Sequence, residues 1–389
     1  MTDEARGLAP EATQLRRSSR AHAAVRTRLA TWLAGRLPDG AAPEILDLEA
    51  TSANGMSSET LLVDAAWSTD GHRDVHRLVC RLAPASADIP VFERYDLGRQ
   101  FDTIRLVAEL TDVPVPSTLW SEPDPAVIGS AFFVMGRVDG RVPPDVMPYN
   151  FGDSWLHDAT QAEQRHLQDA TVNVLARLHA IDAAPERFAF LAPAGGQKVA
   201  EAGASTLRGC VDATRSWYEF AAADGFRSPL VERSFAWLDA HWPRQEGDPV
   251  LCWGDSRIGN VMYDGFDPVA VLDWEMAGLA PREVDLAWMI FIHRFFEDIA
   301  TSMGLGGMPH FLHRDRVVEL YEQCSGHTPR DMDFYTMYAA LRHAVVMSQV
   351  QRRAIKFGVA EMPEDIDDLI MHRATLEQML EGAYWSRVL

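Results

Sequence analysis

The feature that most constrains the fold is a change of hydrophobic pattern about a third of the way along the 389-residue chain. Residues 44–136 have mainly strand-like patterning. Within them, Thr60–Trp67 and Val75–Leu82 flank the turn-forming segment Ser68-Thr69-Asp70-Gly71, which predicts a hairpin. After residue 155, apolar side chains recur mostly at helical spacing. The chain is therefore predicted to be α+β, with a β-rich N-terminal lobe followed by a larger, mostly helical C-terminal lobe.

Shorter elements interrupt both patterns. In the N-terminal lobe, apolar residues from Leu97 to Leu110 recur at helical spacing and predict one helix packed on the sheet. A further strand is predicted over Ala131–Val138, and a Gly- and Ala-rich loop over 192–205. Helices are predicted in the C-terminal lobe over Ala162–Ile181, 206–224, 228–240 and several parts of 283–389, and short strands over Val250–Trp253, Val261–Tyr263 and Val269–Trp274.

The order of these segments predicts three parts. Residues 17–36 predict a basic amphipathic helix that packs against the N-terminal lobe. We therefore divide the chain into an N-terminal helical extension at 1–40, a nucleotide-binding lobe at 41–136 and a catalytic and substrate lobe at 137–389. A chain of this length has room for two compact domains or one large bilobed domain.

Composition excludes several classes of protein. Hydrophobic residues make up 47% and charged residues 24%, which is typical of a globular protein and argues against disorder. The net charge of −20 argues against nucleic acid as a partner. The four cysteines form no Cys-x-x-Cys pair, so there is no zinc signature. The polar N-terminus lacks the apolar core of a signal peptide, and no apolar run is long enough to span a bilayer, so we expect a cytoplasmic protein without membrane contact.

The stretch with the most chemical information is Leu251–Trp288. An apolar strand is followed by Gly254-Asp255 and then Asn260, and a hairpin leads to Asp273. Phosphoryl transfer from a nucleotide needs a carboxylate that orients the attacking hydroxyl and accepts its proton, together with hard oxygen ligands for Mg²⁺. A loop followed by a hairpin can bring Asp255, Asn260 and Asp273 together, although 18 positions separate the two aspartates.

This ordered motif, Gly-Asp-x4-Asn followed by Val-Leu-Asp-Trp-Glu and Asp-Leu-Ala-Trp, resembles the aminoglycoside phosphotransferase and choline kinase family. The resemblance implies a bilobed, protein-kinase-like fold in which Asp255 is the catalytic base and Asn260 and Asp273 are the metal ligands. It also implies that Asp285 braces the catalytic loop. The family usually has a loop-positioning His where this chain has Trp253.

The resemblance extends upstream to the nucleotide site. Ser52–Thr60 lies where the family has its phosphate-covering loop, and small residues there let backbone N–H groups approach phosphate oxygens. The strand at 131–138 resembles the inter-lobe strand whose backbone would bind adenine. His179, in a segment that resembles a family helix, is predicted to be a packing residue. The implied cofactors are ATP, with GTP as an option, and Mg²⁺. The implied nucleotide-binding residues are Gly55, Ser57, Ser58, Arg81, Met135, Arg137 and Val138.

Two departures affect the pair of side chains that contacts phosphate in such enzymes, a strand Lys and a helical Glu. Arg81 stands at or beside the Lys position, and Gln100 stands where Glu is expected. Arginine binds phosphate well, but it is not a simple replacement for lysine. We expect Arg81 to contact the phosphates while Gln100 steers it through a neutral hydrogen bond. The alternative is a non-catalytic, nucleotide-binding protein of the same fold.

These observations predict an ATP-dependent phosphotransferase that moves the γ-phosphate to a hydroxyl of a small molecule. Carboxylates in the C-terminal lobe would suit a cationic acceptor such as an aminoglycoside or choline, although the same residues can form a solvated face. They are Glu297, Asp298, Glu361, Glu364, Asp365, Asp367 and Asp368. The acceptor itself and the oligomeric state are left open.

Two other enzyme classes fit poorly. A Gly-Asp-Ser hydrolase with Ser256 as nucleophile needs a later Asp-x-x-His, and the chain contains none. A metallohydrolase needs a ligand spacing such as His-Glu-x-x-His, which is also absent from the sequence.

Overall fold

The N-terminal strand-like segment folds as one sheet of five strands. The computed structural model describes residues 22–50, 58–83, 91–93, 95–145, 148–192 and 205–386. The strands are β1 (Glu44–Ala50), β2 (Glu59–Thr69), β3 (His72–Leu82), β4 (Thr118–Glu122) and β5 (Phe132–Gly136). They lie in the order β1-β2-β3-β5-β4, and every neighbouring pair is antiparallel.

Some predictions fall outside the described residues. They include Gly55 and Ser57 of the phosphate-covering loop, nearly all of the predicted loop at 192–205, and the first residues of the helix predicted over 17–36.

A tight turn fixes the register of the β2–β3 hairpin. Asp70 and Gly71 have φ values of 53° and 82°, the sign that a type I′ turn requires at both central positions. Thr69 therefore pairs with His72 across the turn, and Leu61 and Cys80 meet on the buried side of the sheet. The hairpin predicted from the Asp-Gly signal is confirmed.

Helix α1 (His22–Ala34) covers the core of this sheet. Leu29 and Trp32 share one hydrophobic cluster with Leu61 and its strand neighbours. Trp32 Nε1 also donates a hydrogen bond of 2.8 Å to Glu122 on β4, and this bond is the main reason why the pKa of Glu122 is lowered. The predicted packing of the N-terminal helix against the β-rich lobe is confirmed for its described part.

The chain divides into two compact units. The first combines residues 1–106 and 116–138, and it contains α1 and the five-stranded sheet. The second combines residues 107–115 and 139–389. Helix α2 (Leu97–Leu110) contributes residues to both. The three-part division at residues 40 and 136 stays a prediction.

Helices and two small antiparallel sheets build the second unit. The strands are β6 (Pro249–Cys252), β7 (Val261–Asp264), β8 (Asp267–Val271) and β9 (Gly278–Pro281). The helices are α3 (Gln161–His179), α4 (Ala184–Arg187), α5 (Thr206–Ala221), α6 (Pro229–Ala240), α7 (Glu283–Ser302), α8 (Arg314–Ser325), α9 (Met332–Lys356) and α10 (Arg373–Glu381). Strand β6 pairs with β9, and β7 pairs with β8. Helices α7 and α9 pack against each other, and α7 is buried on nearly every face, as its long apolar run leads one to expect.

The structure differs from the sequence predictions at two places near the motif. The strand predicted over Val269–Trp274 ends at Val271, because Asp273 adopts a left-handed backbone with φ of 59°. Strand β9 has no strand-like composition, and it forms because β6 supplies a partner for its backbone. Pro281 is tolerated there because it is the last residue of the strand.

The α+β class and the bilobed, kinase-like architecture are confirmed. A β-rich unit precedes a larger helical unit that carries a small embedded hairpin. Within the described ranges, no helix is both long enough and apolar enough to cross a membrane.

Candidate active site

The candidate site begins where β6 ends, in the loop at 253–260, called here the catalytic loop. Gly254 turns the chain with φ of 89°. A Cβ atom at this position would lie 1.9 Å from the carbonyl oxygen of Met276, so no residue with a side chain can replace glycine without a backbone shift. The left-handed conformation and the close backbone approach together explain the Gly-Asp step of the motif.

The carboxylate of Asp285 holds the start of this loop. Its two oxygens accept hydrogen bonds from the backbone N–H groups of Trp253 (2.7 Å) and Gly254 (2.8 Å). Asp285 is fully buried at the N-terminal end of α7, where the helix dipole favours a negative charge. This is the bracing contact that the resemblance implies.

His179 packs against the same carboxylate. Its Nε2 lies 3.1 Å from Asp285 Oδ2, and its Nδ1 lies 2.8 Å from the hydroxyl of Tyr321. With both ring nitrogens engaged, His179 is the packing residue that the sequence predicts.

His179, Cys252 and Asp285 form a buried cluster with atoms close enough to hold a metal ion. The arrangement does not fit a metal site. Both oxygens of Asp285 are occupied by backbone donors, and both ring nitrogens of His179 already have hydrogen-bond partners. Burial also raises the pKa of the Cys252 thiol well above its ordinary value. We assign the cluster a structural role.

Asp255, the predicted catalytic base, accepts hydrogen bonds from three side chains. Oδ1 accepts from Trp288 Nε1 at 2.7 Å, while Oδ2 accepts from Asn260 Nδ2 at 2.7 Å and from Arg257 Nε at 3.1 Å. The carboxylate is therefore fixed in one orientation within the loop. The structure brings Asp255 and Asn260 into direct contact.

A backbone hydrogen bond holds the segment that bears Asp273 next to Asn260. The carbonyl oxygen of Asn260 accepts a hydrogen bond of 2.8 Å from the N–H of Leu272, the residue before Asp273. The indole Nε1 of Trp253 donates to the carbonyl oxygen of Leu272 at 2.9 Å. Trp253 thus links the catalytic loop to the segment that carries Asp273, a loop-positioning role at the place where the family usually has His.

Arg342 supports the loop from helix α9. Its guanidinium donates to the carbonyl oxygen of Gly254 at 3.2 Å and lies 4.7 Å from the ring of Trp288. Loop conformation and the orientation of Asp255 therefore depend on β6, α7 and α9 together.

Arg257 is a functional candidate that the sequence analysis missed. It bonds Asp255 and forms an ion pair with Asp145, and its side chain is 23% exposed. Burial lowers the pKa of Arg257, but the two carboxylates outweigh that effect and raise it, so the side chain stays charged. The sequence feature that could have identified Arg257 is its position, because it is a basic residue two positions after the predicted base.

The predicted nucleotide contacts lie in the first unit. Ser58 and Arg81 are both 9% exposed, and Arg81 donates to the hydroxyl of Thr60 at 3.4 Å across the β2–β3 ladder. Gln100 is also buried, yet within the described part of the chain no hydrogen bond joins it to Arg81. The steering contact expected from Gln100 is therefore not formed in this structure.

The predicted adenine-binding residues lie at the end of β5. Met135 is paired within the sheet, with β3 on one side and β4 on the other. Arg137 and Val138 follow the strand, and the Arg137 guanidinium lies 3.8 Å from the carboxylate of Asp64. Their contact with a nucleotide stays a prediction.

The acidic residues expected to attract a cationic acceptor are largely engaged within the protein. Glu297 accepts from Asn150 and from the backbone N–H of Met308, both at 2.7 Å. Asp298 accepts from Thr375 at 2.8 Å. Arg373 forms ion pairs with Asp365 and Asp368. These contacts favour a structural role for much of this group.

Comparisons with known proteins identify the family that this chain resembles. The model of the phosphotransferase enzyme family matches residues 53–314, about two thirds of the chain. The curated protein Probable acyl-CoA dehydrogenase IBR3 of Arabidopsis thaliana is 24% identical over 323 residues, which cover 77% of this chain and 35% of that protein. The chain thus spans about a third of the length of this relative.

Two solved structures share the fold. A candidate aminoglycoside phosphotransferase from Ralstonia eutropha JMP134 is 22% identical, with a TM-score of 0.63 and coverage of 92% of this chain and 98% of that one. A thermostable mutant of the aminoglycoside phosphotransferase APH(4)-Ia, in ternary complex with ADP and hygromycin B, is 15% identical, with a TM-score of 0.52 and coverage of 91% of this chain and 98% of that one. Together with the braced catalytic loop, the match over residues 53–314 establishes that the chain belongs to the phosphotransferase enzyme family.

Proposed function

We propose that this protein transfers the γ-phosphate of ATP to a hydroxyl group of a small molecule. One observation carries the proposal: Asp255 is held in a braced loop, hydrogen-bonded to Asn260, beside the segment that bears Asp273. A carboxylate, a carboxamide and a second carboxylate in this arrangement are the groups that phosphoryl transfer requires.

In the proposed reaction, the acceptor hydroxyl lies against Asp255. Its oxygen forms a bond to the γ-phosphorus as the bond from that phosphorus to the bridging oxygen of ADP breaks. The hydroxyl proton passes to the Asp255 carboxylate, and ADP leaves. Trp288 and Asn260 keep this carboxylate in one orientation, which lowers the cost of positioning the acceptor.

The donor set fits a magnesium ion. The Nδ2 of Asn260 is engaged with Asp255, which leaves the carboxamide oxygen as the available ligand atom, and Asp273 supplies a carboxylate. Hard oxygen ligands of this kind suit Mg²⁺. We infer that Asn260 and Asp273 hold the ion, which when bound offsets the negative charge of the triphosphate. Ser58, Arg81, Met135, Arg137 and Val138 are the proposed contacts for the rest of ATP, and GTP is the alternative donor.

Two acceptor classes follow from the relatives. APH(4)-Ia is described with hygromycin B, a hydroxylated aminoglycoside. The curated relative is named as an acyl-CoA dehydrogenase, which makes a hydroxylated acyl thioester the second class. The first is cationic and the second anionic, so a panel with both classes separates them directly.

The test combines nucleotide binding with ADP release. We expect Mg·ATP to raise the melting temperature of the protein, and Asp273→Ala to remove this shift. Asp255→Ala should keep the shift but lower phosphate transfer to the best acceptor about 10²-fold or more, because the general base is lost. Asp264→Ala, an exposed aspartate on the neighbouring hairpin, is the matched control and should change neither.

Three results would contradict the proposal. A melting temperature that no nucleoside triphosphate shifts at millimolar concentration removes nucleotide binding altogether. Nucleotide binding with equal turnover in the wild type and Asp255→Ala removes Asp255 as the base. Binding without any turnover favours the second candidate, a non-catalytic nucleotide-binding protein, which is motivated by Arg81 and Gln100 at the positions of the expected Lys and Glu.

A further inference from the structure

Arg257 joins the predicted base to a residue that lies far upstream. Its Nε donates to Asp255 Oδ2 at 3.1 Å, and its Nη1 donates to Asp145 Oδ2. The side chains of Arg257 and Asp145 are 23% and 17% exposed, so this ion pair is mostly shielded from solvent. A shielded pair between groups 112 positions apart holds its geometry better than a surface pair does.

Asp145 is also packed against the backbone of the catalytic loop. A Cβ atom on Gly259 would lie 2.3 Å from Asp145 Oδ1, so the carboxylate occupies the space that a side chain at position 259 would need. Asp145 Oδ1 is buried and has no hydrogen-bond partner among the residues that the structure describes. The carboxylate therefore acts on this loop through a single polar contact, the one with Arg257.

The guanidinium of Arg257 keeps unused donors. It carries five N–H groups, of which one on Nε and one on Nη1 are engaged. No other acceptor for Arg257 occurs in the described ranges. The Arg257 guanidinium is permanently charged, contacts the predicted base and has further N–H groups that can donate. Such a group is suited to bind an anion with several oxygens.

We propose that Arg257 contacts the phosphoryl group as it is transferred, and that Asp145 is the residue that positions Arg257 for this contact. The inference rests on the proposed function, since it takes Asp255 as the place where the acceptor hydroxyl lies. Asp145 holds the guanidinium at Nη1 and Asp255 holds it at Nε. The remaining N–H groups are therefore already oriented and can bind phosphate oxygens without a change of side-chain rotamer.

The arrangement predicts different effects on binding and on turnover. Arg257 would add affinity only for a nucleotide that has a γ-phosphate, so its loss should lower the ratio of ATP affinity to ADP affinity. Asp145 contributes a negative charge near the same phosphate, so its neutralisation should not weaken ATP binding. Neutralisation of Asp145 should slow phosphoryl transfer instead, because Arg257 loses the ion pair that holds it in position.

The experiment measures the affinities of Mg·ATP and Mg·ADP by calorimetry on the full chain, together with release of phosphate to water as acceptor. Arg257→Gln is expected to lower the ATP/ADP affinity ratio about 10-fold and leave ADP affinity within about twofold. Arg257→Lys keeps a positive charge at this position and should lower the ATP/ADP affinity ratio less. It replaces Arg257→Gln in the experiment if the Gln variant fails to fold. Asp145→Asn is expected to slow phosphate release about 10-fold without weakening ATP binding.

Asp153→Asn is the matched control, because Asp153 is exposed in the same segment. It should leave all three measurements unchanged. An unchanged ATP/ADP ratio in Arg257→Gln overturns the contact with the phosphoryl group. Weaker ATP binding in Asp145→Asn, with a lower melting temperature, overturns the positioning role and makes Asp145 merely structural. If the unaltered protein binds neither nucleotide, the proposed function itself is what fails.

Discussion

Asp285 shows how one side chain determines the geometry of the loop next to it. Its two oxygens satisfy the backbone N–H groups of Trp253 and Gly254, which the sharp turn at Gly254 leaves without partners in a strand or helix. Because Asp285 is fully buried, neither N–H could turn to water as a substitute.

We expect Asp285→Asn to destabilise the protein by about 2–4 kcal/mol, since the amide nitrogen of asparagine cannot accept one of the two hydrogen bonds and a buried N–H is left unpaired. Urea unfolding gives the free energy directly. Asp264→Asn, at an exposed position of the β7–β8 hairpin, is the control and should stay within about 0.5 kcal/mol of the wild type. Similar stability for both variants would contradict the bracing role.

At the residue scale, the sequence predicted the position of the candidate base better than the side chains that surround it. The spacing between Asp255 and Asn260 predicted a contact that the structure contains, since a five-residue loop can return to its own start. Arg257 was missed because its importance depends on Asp145, which is remote in sequence. The Arg81–Gln100 contact was expected from a family pattern, yet side-chain rotamers decide such a bond.

At the element scale, Trp253 connects strand β6 to the end of β8. Its indole is fully buried and donates to the carbonyl oxygen of Leu272, next to Asp273. The position of the proposed metal ligand therefore depends on a hydrogen bond between two elements.

Trp253→Phe keeps most of the ring but removes this donor. We expect it to raise the Mg²⁺ concentration needed for half-maximal ATP binding several-fold, because Asp273 is held less firmly, and to lower stability by about 1–3 kcal/mol. A magnesium titration at fixed ATP is the measurement. Trp237→Phe, on helix α6, should leave it unchanged. Equal titrations for both variants would show that Asp273 does not depend on Trp253.

The strongest periodic patterns predicted their elements well, and the exceptions have a physical cause. The β2–β3 hairpin followed from alternation and an Asp-Gly turn, both of which are local. Strand β9 could not be predicted, because Gly278–Pro281 becomes a strand only through pairing with β6. The composition of a short segment does not show whether a strand distant in sequence will pair with its backbone.

At the scale of the whole molecule, a buried histidine pair links stability to pH. His343 Nδ1 and His372 Nδ1 lie 3.2 Å apart, and His372 Nε2 lies 2.9 Å from the carbonyl oxygen of Ala340. Burial lowers the pKa of His372 to about 4, and it lowers the pKa of His343 well below its ordinary value. Both rings are therefore neutral in the folded protein near neutral pH.

The unfolded chain binds protons at these rings below about pH 6.5, while the folded chain resists protonation. Stability from His372 is thus complete above pH 6.5 and is lost as the pH falls toward 4. At pH 5 the loss is about 2 kcal/mol from this ring alone. In His372→Gln, whose longer side chain brings an amide donor to the position of Nε2 beside Ala340, the unfolding free energy should change less between pH 7 and pH 5. Parallel pH profiles for the two proteins would contradict this account.

The hydrogen bond from Trp288 to Asp255 has a practical consequence. An indole whose N–H touches the predicted base has an excited state that is sensitive to the charge and hydration of that carboxylate. The proposed reaction centre therefore contains a natural chromophore. The difference between the emission spectra of the protein and of a Trp288→Phe variant isolates its signal from that of the other tryptophans, without any added dye.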